Sequence, residues 1–133
     1  MHLGSQAAPQ TTILGSERSP YGTILATGSG HTLYDFAVDS STTSRCPTGA
    51  CTISWPPLLV KGRVVIEGGV ESSLVGEISR PGGARQVTYA GHPLYTYTED
   101  SAPHQTSGQA LVQFGAPWYV ISVSGQQITR GSS

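Results

Sequence analysis

The chain has 133 residues and a formal net charge of −1, and only 11% of its residues are charged, where soluble domains average about 25%. The lack of a basic cluster argues against nucleic acid as a partner, and no apolar run reaches the roughly 18 residues of a transmembrane helix. Gly, Ser and Thr contribute 17, 17 and 14 residues, which disfavours helices and favours strands and turns. We therefore expect a single all-β domain with little helix.

The first 20 residues are mostly polar and include Ala, Pro and Thr, which predicts a flexible N-terminal tether over residues 1–20. They lack the positive start and the apolar run of a signal peptide. Two alternatives follow: a cytosolic chain, or an exported chain whose signal has been removed. The polar lead-in and the two cysteines described below favour export.

The first predicted hairpin follows this tether. Tyr21–Thr27 alternates apolar and polar residues, Gly28–Gly30 signals a turn, and His31–Ala37 is the predicted return strand. The return strand carries apolar side chains on both faces, since Leu33 and Tyr34 point in opposite directions on a strand. We therefore expect it to be covered on both sides.

Two cysteines, Cys46 and Cys51, lie in a segment rich in Ser, Thr, Pro and Gly that follows the first hairpin. A disulfide across this short ring would contribute about 2 kcal/mol through loop-closure entropy. It would also indicate an oxidising compartment. Two neighbouring free thiols are the alternative.

The second predicted hairpin has the same pattern as the first. Arg85–Ala90 alternates, Gly91 marks the turn, and His92–Thr98 is the return strand. Pro93 must lie at the strand start or on an edge, because proline cannot donate to a ladder. Four shorter elements are predicted elsewhere: strands at Arg63–Glu67, Trp118–Val123 and Gln126–Thr129, and one helical turn within Gly69–Ile78.

An internal repeat relates the two hairpins. Ten residues from Gly30 match ten residues from Gly91 at an offset of 61, and six of these positions are identical or aromatic in both. Trp55 and Trp118 extend the match at an offset of 63. A repeat of this kind decides the architecture, so we predict two copies of one unit.

The expected domain organisation follows from the repeat. The copies span about residues 22–58 and 83–123, within one β domain at residues 21–130 that ends in a tail at 131–133. The predicted fold is an all-β, pseudo-twofold duplicated antiparallel sandwich or small barrel.

Each copy contains the pattern Tyr-x-aromatic-x-x-Asp. Its residues are Tyr34, Phe36 and Asp39 in the first copy and Tyr95, Tyr97 and Asp100 in the second. Together with the cysteine loop, the Trp55-Pro56-Pro57 segment and the run Gln86–Tyr95, the pattern resembles a family of bacterial secreted repeats and predicted lipoproteins named for this motif. The resemblance implies an exported protein of the bacterial envelope and no established activity. Residues 3–5 lack the cysteine of a lipid anchor, so a membrane tether is expected only if a lipidated N-terminus has been removed.

Three histidines are candidate metal ligands. His31 and His92 occupy matching repeat positions, and His104 lies in the loop after the second motif. Imidazoles combined with a carboxylate would suit zinc or copper, but no closely spaced ligand pair occurs. We therefore predict no metal and no cofactor, and keep a metal-binding or redox-associated envelope protein as the alternative function.

Asp39 and Asp100 are candidates for an acid and base pair. Retaining glycosidases hold two carboxyl groups about 5 Å apart, and a repeat axis could bring these two together. The simpler interpretation is one turn used twice, with each carboxylate accepting backbone N–H bonds. No Gly-x-Ser-x-Gly nucleophile pattern occurs. We predict no catalytic residue, and a hydrolase using Asp39 and Asp100 is the second alternative.

The aromatic side chains are candidates for binding. They are Tyr21, Tyr34, Trp55, Tyr89, Tyr95, Tyr97, Trp118 and Tyr119. If buried, they form the core; if exposed as a contiguous patch, they suit a glycan or a protein partner. The predicted function is a non-enzymatic binding module for a protein or a cell-wall glycan at the cell surface.

Overall fold

The fold is described from a computed structural model, which defines residues 10–131. The strands are β1 Thr11–Ser19, β2 Gly22–Thr27, β3 Tyr34–Phe36, β4 Arg63–Ile66, β5 Val75–Ser79, β6 Arg85–Tyr89, β7 His92–Pro93, β8 Val112–Gln113 and β9 Ala116–Val120. The helical elements are α1 Ala50–Ser54 and two single 3₁₀ turns at Ser72–Leu74 and Pro81–Gly83. The predicted all-β class is confirmed.

The strands form three small sheets, in the orders β2-β1-β4, β3-β9-β8 and β5-β6-β7. Neighbouring strands are antiparallel except β1 and β4, which are parallel. The predicted antiparallel pairing therefore holds for the described strands except at this pair. Residues 59–61, which precede β4, lie beside β1. There the Thr12 hydroxyl accepts a hydrogen bond from the Lys61 amide (2.7 Å) and donates one to the Leu59 carbonyl (3.1 Å).

The predicted tether over residues 1–20 is wrong where the structure describes it, because residues 11–19 form β1. This strand pairs with β2 on one side and β4 on the other, which satisfies its backbone. Its buried side chains include the polar residues Thr12 and Glu17 as well as Leu14. The strand therefore lacks the alternation of apolar and polar residues by which strands are recognised in a sequence. Residues 1–9 and 132–133 lie outside the described residues.

The second predicted hairpin forms as β6 and β7. The first forms around its turn, through an isolated bridge between Ala26 and Thr32, but β3 pairs with β9 and not with β2. The Leu33 amide donates to the Leu25 carbonyl, and the Leu94 amide donates to the Val87 carbonyl, each at 3.1 Å. The second turn uses Ala90 and Gly91, whose φ angles of 51° and 82° give the turn twist that suits antiparallel strands. The return strands are shorter than predicted, at 34–36 and 92–93.

The shorter predicted elements have mixed outcomes. The strand at β4 and the helical turn within 69–78 are confirmed. The strand predicted at 126–129 does not form, and Gln127 makes only an isolated bridge to Ile121. Instead, the buried Gln109 amide donates to the carbonyls of Ile128 (2.7 Å) and Arg130 (2.9 Å), which holds this segment without a ladder.

The core has two parts. An aromatic cluster contains Tyr34, Trp55 and Tyr95, and an aliphatic cluster contains Leu33 and Leu94. The return strands of both hairpins therefore lie between the clusters, with tyrosines on one side and leucines on the other. Their predicted coverage on both faces is confirmed.

Candidate functional site

The motif tyrosines meet at the centre of the molecule. Tyr34 and Tyr95 form an antiparallel bridge in which each backbone amide donates to the carbonyl of the other, at 2.8 and 2.9 Å. Their hydroxyls then reach the aspartate of the opposite motif. Tyr34 donates to Asp100 Oδ2 (2.7 Å), and Tyr95 donates to Asp39 Oδ2 (2.6 Å). Each motif therefore supplies a tyrosine to the other motif's aspartate.

The motif aromatics and the two tryptophans form one stack of four rings. Trp55 and Trp118 lie face to face with centroids 4.0 Å apart. Phe36 stacks on Trp118 and Tyr97 stacks on Trp55, each at 4.1 Å. Here too, the aromatic residue of one motif packs on the tryptophan that follows the other. Gln113 caps both indoles, accepting from Trp55 Nε1 through Oε1 (2.8 Å) and from Trp118 Nε1 through its carbonyl (3.0 Å).

The environment of the motif tyrosines keeps them neutral. Burial, reinforced by hydrogen bonds to Asp100 and Asp39, raises the pKa of Tyr34 and of Tyr95 above that of a free phenol. Burial also raises the pKa of Asp39, against the opposing effect of the Tyr95 hydrogen bond. The tyrosine hydroxyl is thus the donor in each bond, and an aspartate oxygen is the acceptor.

The two aspartates do not present free carboxylates to a common cleft. Asp39 Oδ1 accepts from the Arg45 amide (2.6 Å), and Asp100 Oδ1 accepts from the Ser107 amide (2.9 Å). With the tyrosine bonds, both oxygens of each carboxylate are engaged. This is the turn arrangement expected from the repeat, and it leaves no support for a hydrolase built on Asp39 and Asp100.

The loop after the first motif is closed by the predicted disulfide between Cys46 and Cys51, which joins Cα atoms 5.5 Å apart. Arg80, which the sequence analysis missed, is buried beneath it. Its guanidinium donates to the carbonyls of Cys46 (2.7 Å) and Pro47 (3.0 Å) and to the Gln86 side chain (2.7 Å). We call residues 39–51 the disulfide loop.

The loop after the second motif has no cysteine and is held by contacts that involve a buried carboxylate. Glu17 is buried, and its Oε2 accepts from the Thr32 hydroxyl (2.5 Å), which also contacts the Gln105 carbonyl (2.6 Å). Glu17 Oε1 lies 3.1 Å from Nδ1 of His104, whose side chain is 66% exposed. We call residues 100–109 the histidine loop.

The three candidate metal ligands are not brought together. His104 contacts Glu17, and His92 Nδ1 lies 3.1 Å from Asp35 Oδ2. Within residues 10–131 no group of three or more His, Cys, Asp or Glu side chains has the spacing to hold a metal ion. The geometry offers no support for the metal-binding alternative.

His92 and His31 occupy matching positions, but their surroundings differ. Across the bridge of the motif tyrosines, His92 is a diagonal neighbour of Asp35, and His31 is the equivalent neighbour of Thr96. Asp35 is buried against its histidine, and that hydrogen bond raises the pKa of His92. We call His92 and Asp35 the closed pair, and His31 and Thr96 the open pair.

Three open clefts meet at the turn of the first hairpin and share Thr27 and Ser29. Cleft A, of about 460 Å³, reaches Lys61. Cleft B, of about 320 Å³, contains the open pair, and its remaining lining is Tyr97, Thr98 and Asp100. Cleft C, of about 330 Å³, includes Ser16, Glu67 and His104. Ser and Thr residues contribute to all three clefts, cleft A is also lined by Ile13, Pro57, Leu58 and Leu59, and the histidine loop borders clefts B and C.

The aromatic side chains do not form an exposed patch. Seven of the eight candidates are buried, and Tyr119 is partly buried. The buried ones belong to the two core clusters, so an aromatic binding platform is wrong. Sequence reasoning also missed the clefts, because their Ser, Thr and Gly residues look like ordinary turn composition. The sequence contains one signal for the buried charged residues Glu17, Asp35 and Arg80. They are charged residues in a chain that has few of them.

The family model for Lipoprotein_15, described as a secreted repeat of unknown function, matches residues 17–59 and again residues 76–122. The chain belongs to this family. Each Lipoprotein_15 match contains one motif, and each starts inside the strand before its hairpin, at β1 and β5, which is earlier than the predicted repeat boundaries. No curated protein and no solved structure matches the chain. Membership in a family of secreted repeats indicates a location outside the cytoplasm. In the part of the chain that the structure describes, every helix is too short or too polar to cross a membrane.

Proposed function

We propose that the protein is a non-enzymatic, extracytoplasmic binding module whose ligand is a cell-wall glycan. The observation that carries the proposal is the convergence of clefts A, B and C on the turn at Thr27 and Ser29. Pockets of about 300 Å³ or more suit small ligands and single sugar rings. A protein partner would instead favour a surface patch with aromatic residues at its centre.

The chemistry of the cleft walls supports a polyhydroxylated ligand. Thr27, Ser29, Thr96, Thr98 and His31 line cleft B, and the hydroxyls of Thr96 and Thr98 also contact the carbonyls of Pro56 and Ser54. Hydroxyl groups donate and accept hydrogen bonds with equal ease, as sugar hydroxyls do. The motif residues supply the rigid frame beneath, because Tyr97 packs in the ring stack and Asp100 bonds Tyr34.

Binding to insoluble peptidoglycan tests the proposal. We expect the protein to sediment with purified cell-wall glycan, and Ser29→Arg to abolish sedimentation by filling the turn that the clefts share. Val112→Arg is the matched control, because Val112 is 71% exposed and lines none of the three clefts. Sedimentation that is equal in both variants, or absent in the wild type, would overturn the proposal; retention only by a protein fraction of the wall would favour a protein partner instead.

A further inference from the structure

We propose that cleft B binds the carboxylate of an acidic glycan at the open pair. The inference rests on the proposed function and specifies the ligand class of the same surface. It comes from comparing two positions that the repeat makes equivalent, one of which is occupied by a side-chain carboxylate of the protein.

The closed pair defines what this position accepts. Asp35 Oδ2 lies 3.1 Å from His92 Nδ1 and accepts a hydrogen bond from Gln127 Nε2 at 2.6 Å. The Asp35 side chain is only 3% exposed, so its carboxylate fills the space beside the histidine. An imidazole at this place in the fold is thus oriented to bind one carboxylate.

The open pair lacks that carboxylate. Thr96 stands where the closed pair has Asp35, and its shorter side chain leaves cleft B beside His31. Thr96 turns its hydroxyl towards the Pro56 carbonyl (3.4 Å), to which its amide also donates (2.9 Å). A ligand carboxylate in cleft B would take the place that Asp35 takes in the closed pair.

Asp100 also lines cleft B, and its charge is accommodated. Both of its oxygens are engaged, by the Tyr34 hydroxyl and the Ser107 amide. The closed pair provides an internal precedent, because Asp35 lies near Asp39, the equivalent of Asp100, closely enough to contribute to the raised pKa of Asp39. The fold therefore accommodates a second carboxylate near a motif aspartate.

The neighbouring cleft supports a negatively charged ligand. Lys61, the only lysine of the chain, lines cleft A, which shares Thr27 and Ser29 with cleft B. The acidic residue Glu67 lines cleft C and neither cleft A nor cleft B. We therefore assign the acidic part of the glycan to clefts A and B.

Calorimetry with two matched sugars tests the inference. The probes are a galacturonic acid trimer and its carboxyl-reduced, neutral counterpart, titrated at low salt into the folded protein. We expect the acidic trimer to bind at least about tenfold more tightly, the scale of one charge-assisted hydrogen bond. His31→Gln should remove this preference, whereas His92→Gln, the same change in the closed pair, should leave it intact.

The outcomes separate the two proposals. Equal affinity for both trimers would overturn the acidic assignment and leave glycan binding standing. Binding of neither trimer, together with sedimentation on cell-wall glycan, would again overturn only the assignment. Failure of both the trimers and the cell-wall sedimentation would overturn both proposals.

A second test changes the protein instead of the sugar. Thr96→Asp restores the missing carboxylate, so the imidazole nitrogen resonances of His31 should acquire the pattern of His92 in the NMR spectrum, and acidic trimer binding should fall at least about tenfold. Thr96→Asn is the matched control, since it adds similar volume without charge. Unchanged His31 resonances in a folded Thr96→Asp variant would show that the two pairs are not equivalent and would overturn the inference.

Discussion

The disulfide loop and the histidine loop begin with the same anchoring and are then closed by different chemistry. In each, a motif aspartate binds a backbone amide of its own loop and a tyrosine of the other motif. The disulfide loop is then fixed covalently and bound by buried Arg80. The histidine loop is held by hydrogen bonds and by the contact of Glu17 with His104. The disulfide loop is thus fixed by structural contacts away from the clefts, whereas the histidine loop borders the clefts.

The two histidine pairs beside the motif bridge also differ between the halves. The closed pair ties the two hairpins together through Asp35, and the open pair faces cleft B. The ring stack, whose tryptophans are equally buried in the two halves, should therefore respond equally to substitution, whereas interactions whose burial or partners differ between the halves should respond unequally.

The largest effect is expected from the ring stack, which both halves share. Trp55→Ala and Trp118→Ala should each lower the free energy of unfolding by about 3–5 kcal/mol, because each leaves a cavity in the stack. Urea unfolding followed by circular dichroism measures this, with exposed Val112→Ala as the control. A loss below about 1 kcal/mol in either tryptophan variant would contradict an equal role for the two indoles.

The tyrosine hydroxyls should show a smaller and unequal effect. Tyr34→Phe leaves buried Asp100 without its side-chain donor, at a cost of about 2–3 kcal/mol. Tyr95→Phe should cost about 1 kcal/mol, because water can reach the more exposed Asp39. The same unfolding assay decides between them, and a larger loss in Tyr95→Phe would reverse our ranking of the two sites.

Removal of the disulfide should affect only one loop. Cys46→Ser combined with Cys51→Ser should cost about 2 kcal/mol of stability through loop-closure entropy. Glycan binding should be unchanged, because neither residue lines the clefts. Mass spectrometry without reductant should find the wild type two hydrogens lighter than the reduced chain. Loss of binding in the folded double variant would refute the division of roles between the loops.

The closed pair should give the smallest effect, and one that depends on pH. The hydrogen bond to Asp35 raises the pKa of His92 in the folded state, so the folded chain binds the proton more tightly than the unfolded chain. The stabilisation is fully present below the unfolded histidine pKa of about 6.5 and is lost as pH rises through the higher folded value. With His92 partly exposed, we expect less than about 1 kcal/mol.

His92→Gln measures this contribution. Its stability deficit relative to the wild type should shrink between about pH 5 and pH 8. His31→Gln, in the open pair, is the control. A deficit that grows with pH would contradict the interaction of His92 with Asp35.

Much of the fold followed from pattern, because the hairpins, the repeat and the disulfide rest on local signals. Glycine turns, alternation and the paired motifs identified the strands around Tyr34 and Tyr95. β1 escaped detection because its inward side chains include Thr12 and Glu17, which are satisfied by long-range hydrogen bonds. α1 was not predicted, because it is only five residues long and no side chain caps its N-terminus.

The site was harder to predict than the fold. The motif residues were identified, but their exchange of partners between halves depends on the bridge of Tyr34 and Tyr95, which pairs residues 61 positions apart. Histidines at matching positions suggested equivalent roles. The two histidine sites differ because Thr96 occupies, in the second copy, the place that Asp35 occupies in the first. This difference can be related to the histidines only when the diagonal neighbours across the bridge are known.

A double-mutant cycle tests the exchange of partners between the motifs most directly. Tyr34→Phe combined with Asp100→Asn should show a coupling energy of about 1 kcal/mol or more, because the two side chains share one hydrogen bond across the halves. Tyr34→Phe combined with Asp39→Asn, the aspartate of the same motif, should be additive within about 0.5 kcal/mol. Coupling to Asp39 without coupling to Asp100 would contradict the exchange.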